Sequence, residues 1–286
     1  MQDAFSLFYR NMSIYALFNL CFGLYSLLLK ERLFLTEPLV AMLFGAVCGP
    51  FALKLLNFSF SSSSSTFLLL FFHFARFVMA FQTMAAGISL PRQYLRQARK
   101  PLLLLLGPVL LGSWLVSAVI VYGVFRCGFL EALVLAACVT PTDPVLASSI
   151  VKGRFAEEHV PKRVVDLISA ESGINDAAAL PLLYLPICIL AHDTAGTWLV
   201  GVLLYRVLLG LVAGMAVGRL ASRLLKYSQA HQLIDKQSTL AYSIVLATLL
   251  STLMTSIGSS DILAIFMAGS VFNWQDFTLE GSRSEE

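Results

Sequence analysis

Charge is scarce in this chain. Of its 286 residues only 13% are Asp, Glu, Lys or Arg, about half the share that a soluble domain of this length carries. Cysteine is sparse too. The five (Cys21, Cys48, Cys127, Cys138 and Cys188) stand singly within or beside apolar runs, without metal-ligand spacing, and read as small packing residues. No basic cluster is interleaved with aromatics, which excludes nucleic acid as a partner. The run around Met12–Leu29 has no small-residue cleavage site behind it and leads into further apolar segments, so it reads as a span and not as a secretory signal.

What is abundant is apolar length. Hydrophobic residues make up 58% of the chain and its mean hydropathy is +0.79. Runs of about 20 apolar residues, enough to cross a bilayer as helix, recur from end to end. An open-ended segment in hydrocarbon satisfies its own backbone only as a helix, so the fold class is all-α, a polytopic transmembrane bundle. About nine spans are expected, over 12–29, 34–56, 67–90, 101–125, 130–151, 164–191, 197–222, 238–256 and 258–274. The loops after the first, third, fifth and seventh hold Lys30 and Arg32; Arg92, Arg96, Arg99 and Lys100; Lys152, Arg154, Lys162 and Arg163; and Arg219, Arg223, Lys226 and Lys236. That is 14 of the 20 basic residues, against Arg10, Lys54 and Arg126 opposite, so these loops are expected in the cytoplasm and the N-terminus outside. The Ser61–Ser65 tract reads as a short flexible turn. Gly210, Gly214 and Gly218 form a smooth stripe for close approach of another helix, a packing feature and not a site.

Polar chemistry concentrates in two successive spans. An ionised carboxyl at mid-membrane costs about 2.5–3.5 kcal/mol even on lenient insertion scales, so such residues need a reason. In the fifth span Pro141 and Pro144 flank Thr142 and Asp143. Each proline removes a backbone donor, which predicts a broken helix near Thr142–Pro144 with freed carbonyls, the Thr142 hydroxyl and the Asp143 carboxylate as oxygen ligands. The bland alternative is a proline kink with Asp143 as a cap. In the sixth span Glu171, Ser172, Asn175 and Asp176 crowd one side of a helix otherwise made of Ala, Leu and Ile, with Glu171–Asn175 and Ser172–Asp176 at i,i+4. A hard monovalent cation wants several oxygen ligands, and a partly desolvated carboxylate binds protons where cellular pH competes. The alternative there is a buried polar network that only fixes packing. Arg76 and Arg206 lie within the third and seventh spans, paired with buried acids, snorkelling to the interface, or nearer a span boundary than the ranges above place them. Asp261, after Gly258-Ser259-Ser260, reads first as a helix N-cap, lone His73 as a core residue, and Glu37 as interfacial.

At Thr142-Asp143-Pro144 and Glu171-Ser172-Gly173-Ile174-Asn175-Asp176 the chain resembles monovalent cation/proton antiporters of the first kind, and in particular fungal plasma-membrane sodium/proton antiporters. The match is dense from Ala136 to Asp176 and weaker through Lys30–Pro38, Gly87–Pro91, Asp261–Ala264 and Asn273-Trp274. The resemblance implies about thirteen helices in two inverted repeats, with a mobile core moving against a dimerisation domain. It implies that Asp176 is bound alternately by cation and proton, that Asn175 before it goes with electroneutral exchange, and that Thr142, Asp143 and Ser172 line the site. It also implies that Glu171 pairs with an arginine on a later helix. Three departures stand out: Ser89 where fungal relatives tend to have Glu, Ala177 where Gly usually follows, and a chain that ends at Glu286 after about nine spans. The chain is therefore expected to be the N-terminal part of an exchanger transmembrane domain, with the C-terminal helices of the fold missing.

The expected activity is exchange of Na⁺ (or Li⁺ or K⁺) for H⁺ by alternating access, with Asp176 and Asp143 contacting the transported Na⁺. A homodimer in the lipid bilayer, a plasma-membrane location and no cofactor are expected as well. The rival is a transport-inactive subunit that associates with or regulates a full-length antiporter. An enzyme is not expected: Ser172 with His73 or His159 has no spacing that suggests a nucleophile and base.

Overall fold

The computed structural model describes residues 2–32, 37–49, 52–56, 65–91, 93–142, 147, 158–234 and 236–272. The described residues form helices and turns and no strands. Each of the nine apolar stretches carries a helix: α1 Gln2–Arg32, α2 Glu37–Cys48, α3 Ser65–Ser89, α4 Arg99–Phe125, α5 Phe129–Val139, α6 Lys162–Leu190, α7 Thr197–Ala230, α8 Lys236–Ser256 and α9 Asp261–Phe272. Among the described residues α4, α6 and α7 are long and apolar enough to cross a membrane. Leu39–Cys48 of α2, Ala241–Ser256 of α8, and helices α5 and α9 are apolar but shorter. The Ser61–Ser65 turn, apart from Ser65 itself, lies outside the described residues.

The chain divides into two compact units, Met1–Phe72 with Val145–Lys162, and His73–Pro144 with Arg163–Glu286. In the first, α1 meets α2 through Phe18, whose ring stacks at 4.5 Å on Phe44 and at 5.9 Å on Phe22.

In the second unit α9 is the core. It is apolar on every side, the pattern of a helix with no solvent face, and each residue from Leu263 to Phe272 is buried. Glycines let its neighbours close in. A Cβ at Gly210 would stand 2.8 Å from the Ser260 carbonyl, one at Gly214 would strike the Ala264 backbone, and one at Gly218 would stand 2.6 Å from the Ala268 carbonyl. The contact advances four residues on α7 and α9 together, so these two helices run in the same direction with their backbones almost touching. The glycine stripe is thus a packing surface. On α3 a Cβ at Gly87 would stand 2.6 Å from the Phe266 carbonyl, and one at Gly269 of α9 would stand 2.8 Å from the Met84 carbonyl.

Helices α4 and α5 form an antiparallel pair. The reversal uses Arg126 in the left-handed region (φ 51°) and Gly128, whose N–H donates to Glu131 Oε2 at 3.0 Å. Trp114 Nε1–H donates to the Leu133 carbonyl at 2.9 Å across the pair, and Ala118 and Ala136 are fully buried beside it. Two stretches wind wide as π-helix: Leu105–Val109, which contains Pro108, and Thr197–Leu208 at the start of α7. Carbonyls at the end of the second stretch hold the turn into α9. Ser259 Oγ donates to Tyr205 O (3.1 Å) and Arg206 O (3.2 Å), the Ser260 N–H donates to Arg206 O (3.2 Å), and Tyr205 OH donates to Ile257 O (2.6 Å).

Candidate ion-binding site

Helix α5 stops at Val139, two residues before Pro141, which has no N–H to offer the Ala137 carbonyl. Thr140 ends it by donating both its N–H (3.0 Å) and its hydroxyl (2.6 Å) to Ala136 O. Thr142 follows in non-helical backbone. Asp143 and Pro144 lie outside the described residues, and with them the expected second half of the broken helix.

Thr142 reaches the polar face of α6. Its hydroxyl donates to Glu171 Oε2 at 3.0 Å and accepts from Asn175 Nδ2 at 2.6 Å, while its carbonyl accepts from Ser172 Oγ at 3.1 Å. Asn175 Nδ2 also donates to Glu171 Oε1 at 2.8 Å. One turn of α6 at i,i+4 spacing therefore grips Thr142, just past the end of α5, through three side chains. Four of the six residues singled out in sequence meet in this cluster. Asp176, the fifth, follows Asn175 on α6 and is half-buried. The bonds that the described residues give Glu171 come from Thr142 and Asn175, not from an arginine.

The electrostatics of the cluster centre on one atom. Asn175 is 0% exposed, both its amide hydrogens point to oxygen acceptors, and its Oδ1 has no hydrogen-bond partner among the described residues. Turning the amide over would set Oδ1 against the Glu171 carboxylate, so the bonded network fixes which end is open. A buried carbonyl-type oxygen without a donor costs about 1–3 kcal/mol. A cation or a water at that oxygen removes the penalty.

A second polar cluster joins α3, α8 and α9. Arg76 Nη2 lies 2.8 Å from Asp261 Oδ2 and donates to Thr255 Oγ1 at 2.9 Å, and Ser251 Oγ donates to the same Asp261 oxygen at 3.1 Å. This corrects the reading of Asp261 as an N-cap. Ser260 is the cap, its Oγ accepting the Leu263 N–H at 3.4 Å, and Asp261 is the first helical residue, its carboxylate turned to an arginine. For Arg76 pairing with a buried acid is the alternative that holds. Arg206 instead sits over the Tyr184 ring, 4.7 Å from its centroid. Ser89 donates to the Ala86 carbonyl at 2.8 Å and lines an open groove between α3 and α8 with Phe81, Met84, Ser243 and Ile244. The residue that sequence reasoning passed over is Phe266. Its ring covers Gly173, between Ser172 and Asn175, where any Cβ would overlap it. A glycine next to Ser172 was the one local signal of a close approach there, and nothing near it in sequence names the partner.

A family model described as sodium/hydrogen exchanger, transmembrane, matches residues 17–285. The chain belongs to the sodium/hydrogen exchanger family. Among similar members are a probable Na⁺/H⁺ antiporter of Schizosaccharomyces pombe, 38% identical over 92% of this chain and 34% of its own length, and Na⁺/H⁺ antiporter 2 of Zygosaccharomyces rouxii, 32% identical over 92% of this chain and 33% of its own length. The Na⁺/H⁺ antiporter of Saccharomyces cerevisiae is 34% identical over 90% of this chain and 26% of its own length. The chain thus spans about a third of these exchangers' length.

Proposed function

We propose that this chain carries the ion-exchange site of a monovalent cation/proton antiporter, as the N-terminal part of the transmembrane domain. The observation that supports this most is Asn175 Oδ1, fully buried and without a hydrogen-bond partner among the described residues, on an amide whose nitrogen bonds the Thr142 hydroxyl and the Glu171 carboxylate. Hydroxyl, carbonyl and carboxylate oxygens are the ligands a hard cation such as Na⁺ accepts in place of its waters, Li⁺ and K⁺ being alternatives of the same chemistry. Asp176, one position further on α6, supplies the charge that cation and proton share. Bound Na⁺ lowers its proton affinity and a bound proton removes the charge that holds Na⁺, so the two ions exclude each other and exchange one for one. Asp143 belongs to the same ligand set. Alternating access then moves the site between the two faces of the membrane, with the basic odd-numbered loops in the cytoplasm, in a homodimer at the plasma membrane.

The test is cation-driven proton movement in proteoliposomes that hold the purified chain and a pH-sensitive dye. Wild type gives dye recovery on addition of NaCl but not of choline chloride, and Asp176→Asn gives none. An Asp176→Asn variant with wild-type exchange would remove Asp176 from the mechanism. A wild-type chain inert alone, but changing the exchange of a full-length relative reconstituted with it, would replace the antiporter reading by that of an associated, transport-inactive subunit.

A further inference from the structure

The Arg76–Asp261 pair sits among apolar helices, far along the chain from the cluster around Asn175, and the exchange reading makes no use of it. Asp261 is 6% exposed, and its carboxylate holds partners from both other helices, Arg76 of α3 and Ser251 of α8. Breaking a buried ion pair by removing one partner is strongly unfavourable, while a well-packed apolar replacement of both is often neutral. An arginine and an aspartate placed within apolar segments of the sequence therefore call for a role beyond holding helices together.

The place of Asp261 at the start of α9 supplies one. Elsewhere α9 packs through apolar contacts, close at the facing glycines and bulkier at Ile265, Phe266 and Phe272. Gly210, Gly214 and Gly218 of α7 and Gly87 of α3 let backbones approach it closely, but such contacts resist sliding along the helix axis only weakly. A charge-assisted hydrogen bond is directional and short-ranged. The pair at Asp261 thus adds a directional constraint on the axial register of α9 against α3 and α8. Five residues further along α9, Phe266 lays its ring over Gly173, flanked on α6 by Ser172 and by the Glu171–Asn175 pair. Gly173 has no Cβ, and a slip of α9 by one turn, about 5.4 Å, would bring the ring against residues that do.

We propose that Arg76 and Asp261 form a positioning pair for the ion site: by fixing the register of α9 they seat Phe266 on Gly173, and so hold the Glu171–Asn175 turn of α6 against Thr142. Neither residue touches the ion. The inference rests on the exchange reading, and it assigns the pair an effect on cation affinity and not only on folding.

The experiment measures the thermal unfolding midpoint of the purified, detergent-solubilised chain against NaCl concentration, with choline chloride keeping ionic strength constant. A ligand of the folded state at free concentration c stabilises it by RT ln(1 + c/Kd), and fitting the rise of the midpoint to that form gives Kd, the Na⁺ concentration that half-saturates the folded protein. For Arg76→Gln and for Asp261→Asn the half-saturating Na⁺ concentration rises about tenfold, and the exchanged pair Arg76→Asp with Asp261→Arg returns it to within about threefold of wild type. Where the single variants fail to fold, Arg76→Lys, which keeps the charge and loses the planar fork, still raises half-saturation about threefold. Variants that lower the midpoint without NaCl yet keep wild-type half-saturation have lost stability alone, and the positioning role is then wrong. A wild-type chain with no Na⁺ response that Asp176→Asn abolishes would defeat the exchange reading itself, and the positioning role with it.

Discussion

The Asn175 side-chain nitrogen stands 2.6 Å from the Thr142 hydroxyl, joining two residues 33 positions apart, and 2.8 Å from Glu171 one turn back on its own helix. The amide is a clamp. It ties the non-helical segment after α5 to α6 and fixes the Glu171 carboxylate, while keeping its own oxygen open. Asn175→Ala removes both donations and leaves Glu171 Oε1 and Thr142 Oγ1 each short of one partner. The expected outcome is a loss of about 1–3 kcal/mol in stability, read as a lower unfolding midpoint in detergent, together with loss of Na⁺-driven proton movement. Unchanged stability would mean that the clamp carries no weight in the fold.

The α7–α9 interface makes a prediction by comparison of two glycines. A Cβ at Gly214 runs into the Ala264 backbone, which cannot move aside without carrying α9 with it, whereas at Gly112 of α4 a Cβ meets nothing within 4 Å. Gly214→Ala should therefore destabilise the protein by about 1–3 kcal/mol through overpacking. Gly112→Ala should be neutral or stabilise it by up to about 1 kcal/mol, since alanine is the better helix former. Unfolding midpoints of the two variants, measured side by side, check the ordering.

Much of this architecture was legible in the residues, and the parts that were not share a physical cause. Apolar runs located each of the helices α1 to α9, because hydrocarbon-length hydrophobicity and backbone self-satisfaction are local properties. Their ends were less legible. Helix α7 continues to Ala230, past the expected end of its span at Ser222, because the amphipathic Arg223–Ala230 stretch keeps helical propensity after its hydropathy falls. Helix α2 stops at Cys48, short of the expected 56, where Gly49 and Pro50 follow. At the site, the i,i+4 pairing of Glu171 and Asn175 follows from helix geometry alone, but the capture of Thr142 between them is a long-range contact that no spacing reveals. The same holds for Phe266 over Gly173 and for Arg76 with Asp261. Each partner is recognisable as unusual by itself, an arginine or a lone aspartate in an apolar run, yet the pairing is decided by how α3, α8 and α9 pack.

Trp114 tests the α4–α5 pair. Its indole N–H donates to the Leu133 carbonyl at 2.9 Å in a buried setting, and that carbonyl belongs to the helix that leads into Thr142. Trp114→Phe keeps most of the ring contact with Ala118 and Ala136 and deletes the donation. The expected loss is about 1 kcal/mol, with Na⁺ half-saturation unchanged, because the bond anchors α5 well before its end at Val139. A raised half-saturation in this variant would show that the anchoring extends into the ion site.

The short turn before α4 carries a pH dependence with a definite sign. Tyr94 lies outside the apolar spans, packs with Leu90, Ala98 and Leu102, and donates its hydroxyl to the Arg163 carbonyl at 3.2 Å. Burial pushes its pKa above the ordinary 10.0, the negative charge of Asp166 pushes the same way, and Arg163 opposes both. The folded protein therefore holds this proton at pH values where the unfolded chain has released it. Stability from Tyr94 is fully present below pH 10.0 and is lost as pH rises from there through the folded-state pKa. Tyr94→Phe removes the group that titrates. Its unfolding midpoint should start lower at neutral pH, since the bond to Arg163 is gone, and should then fall less steeply than wild type as pH rises above 10.0. Midpoints recorded at intervals over that range for both proteins decide it. Parallel curves would mean that Tyr94 ionises alike in the folded and unfolded states, and that its burial against Arg163 and Asp166 has no electrostatic consequence.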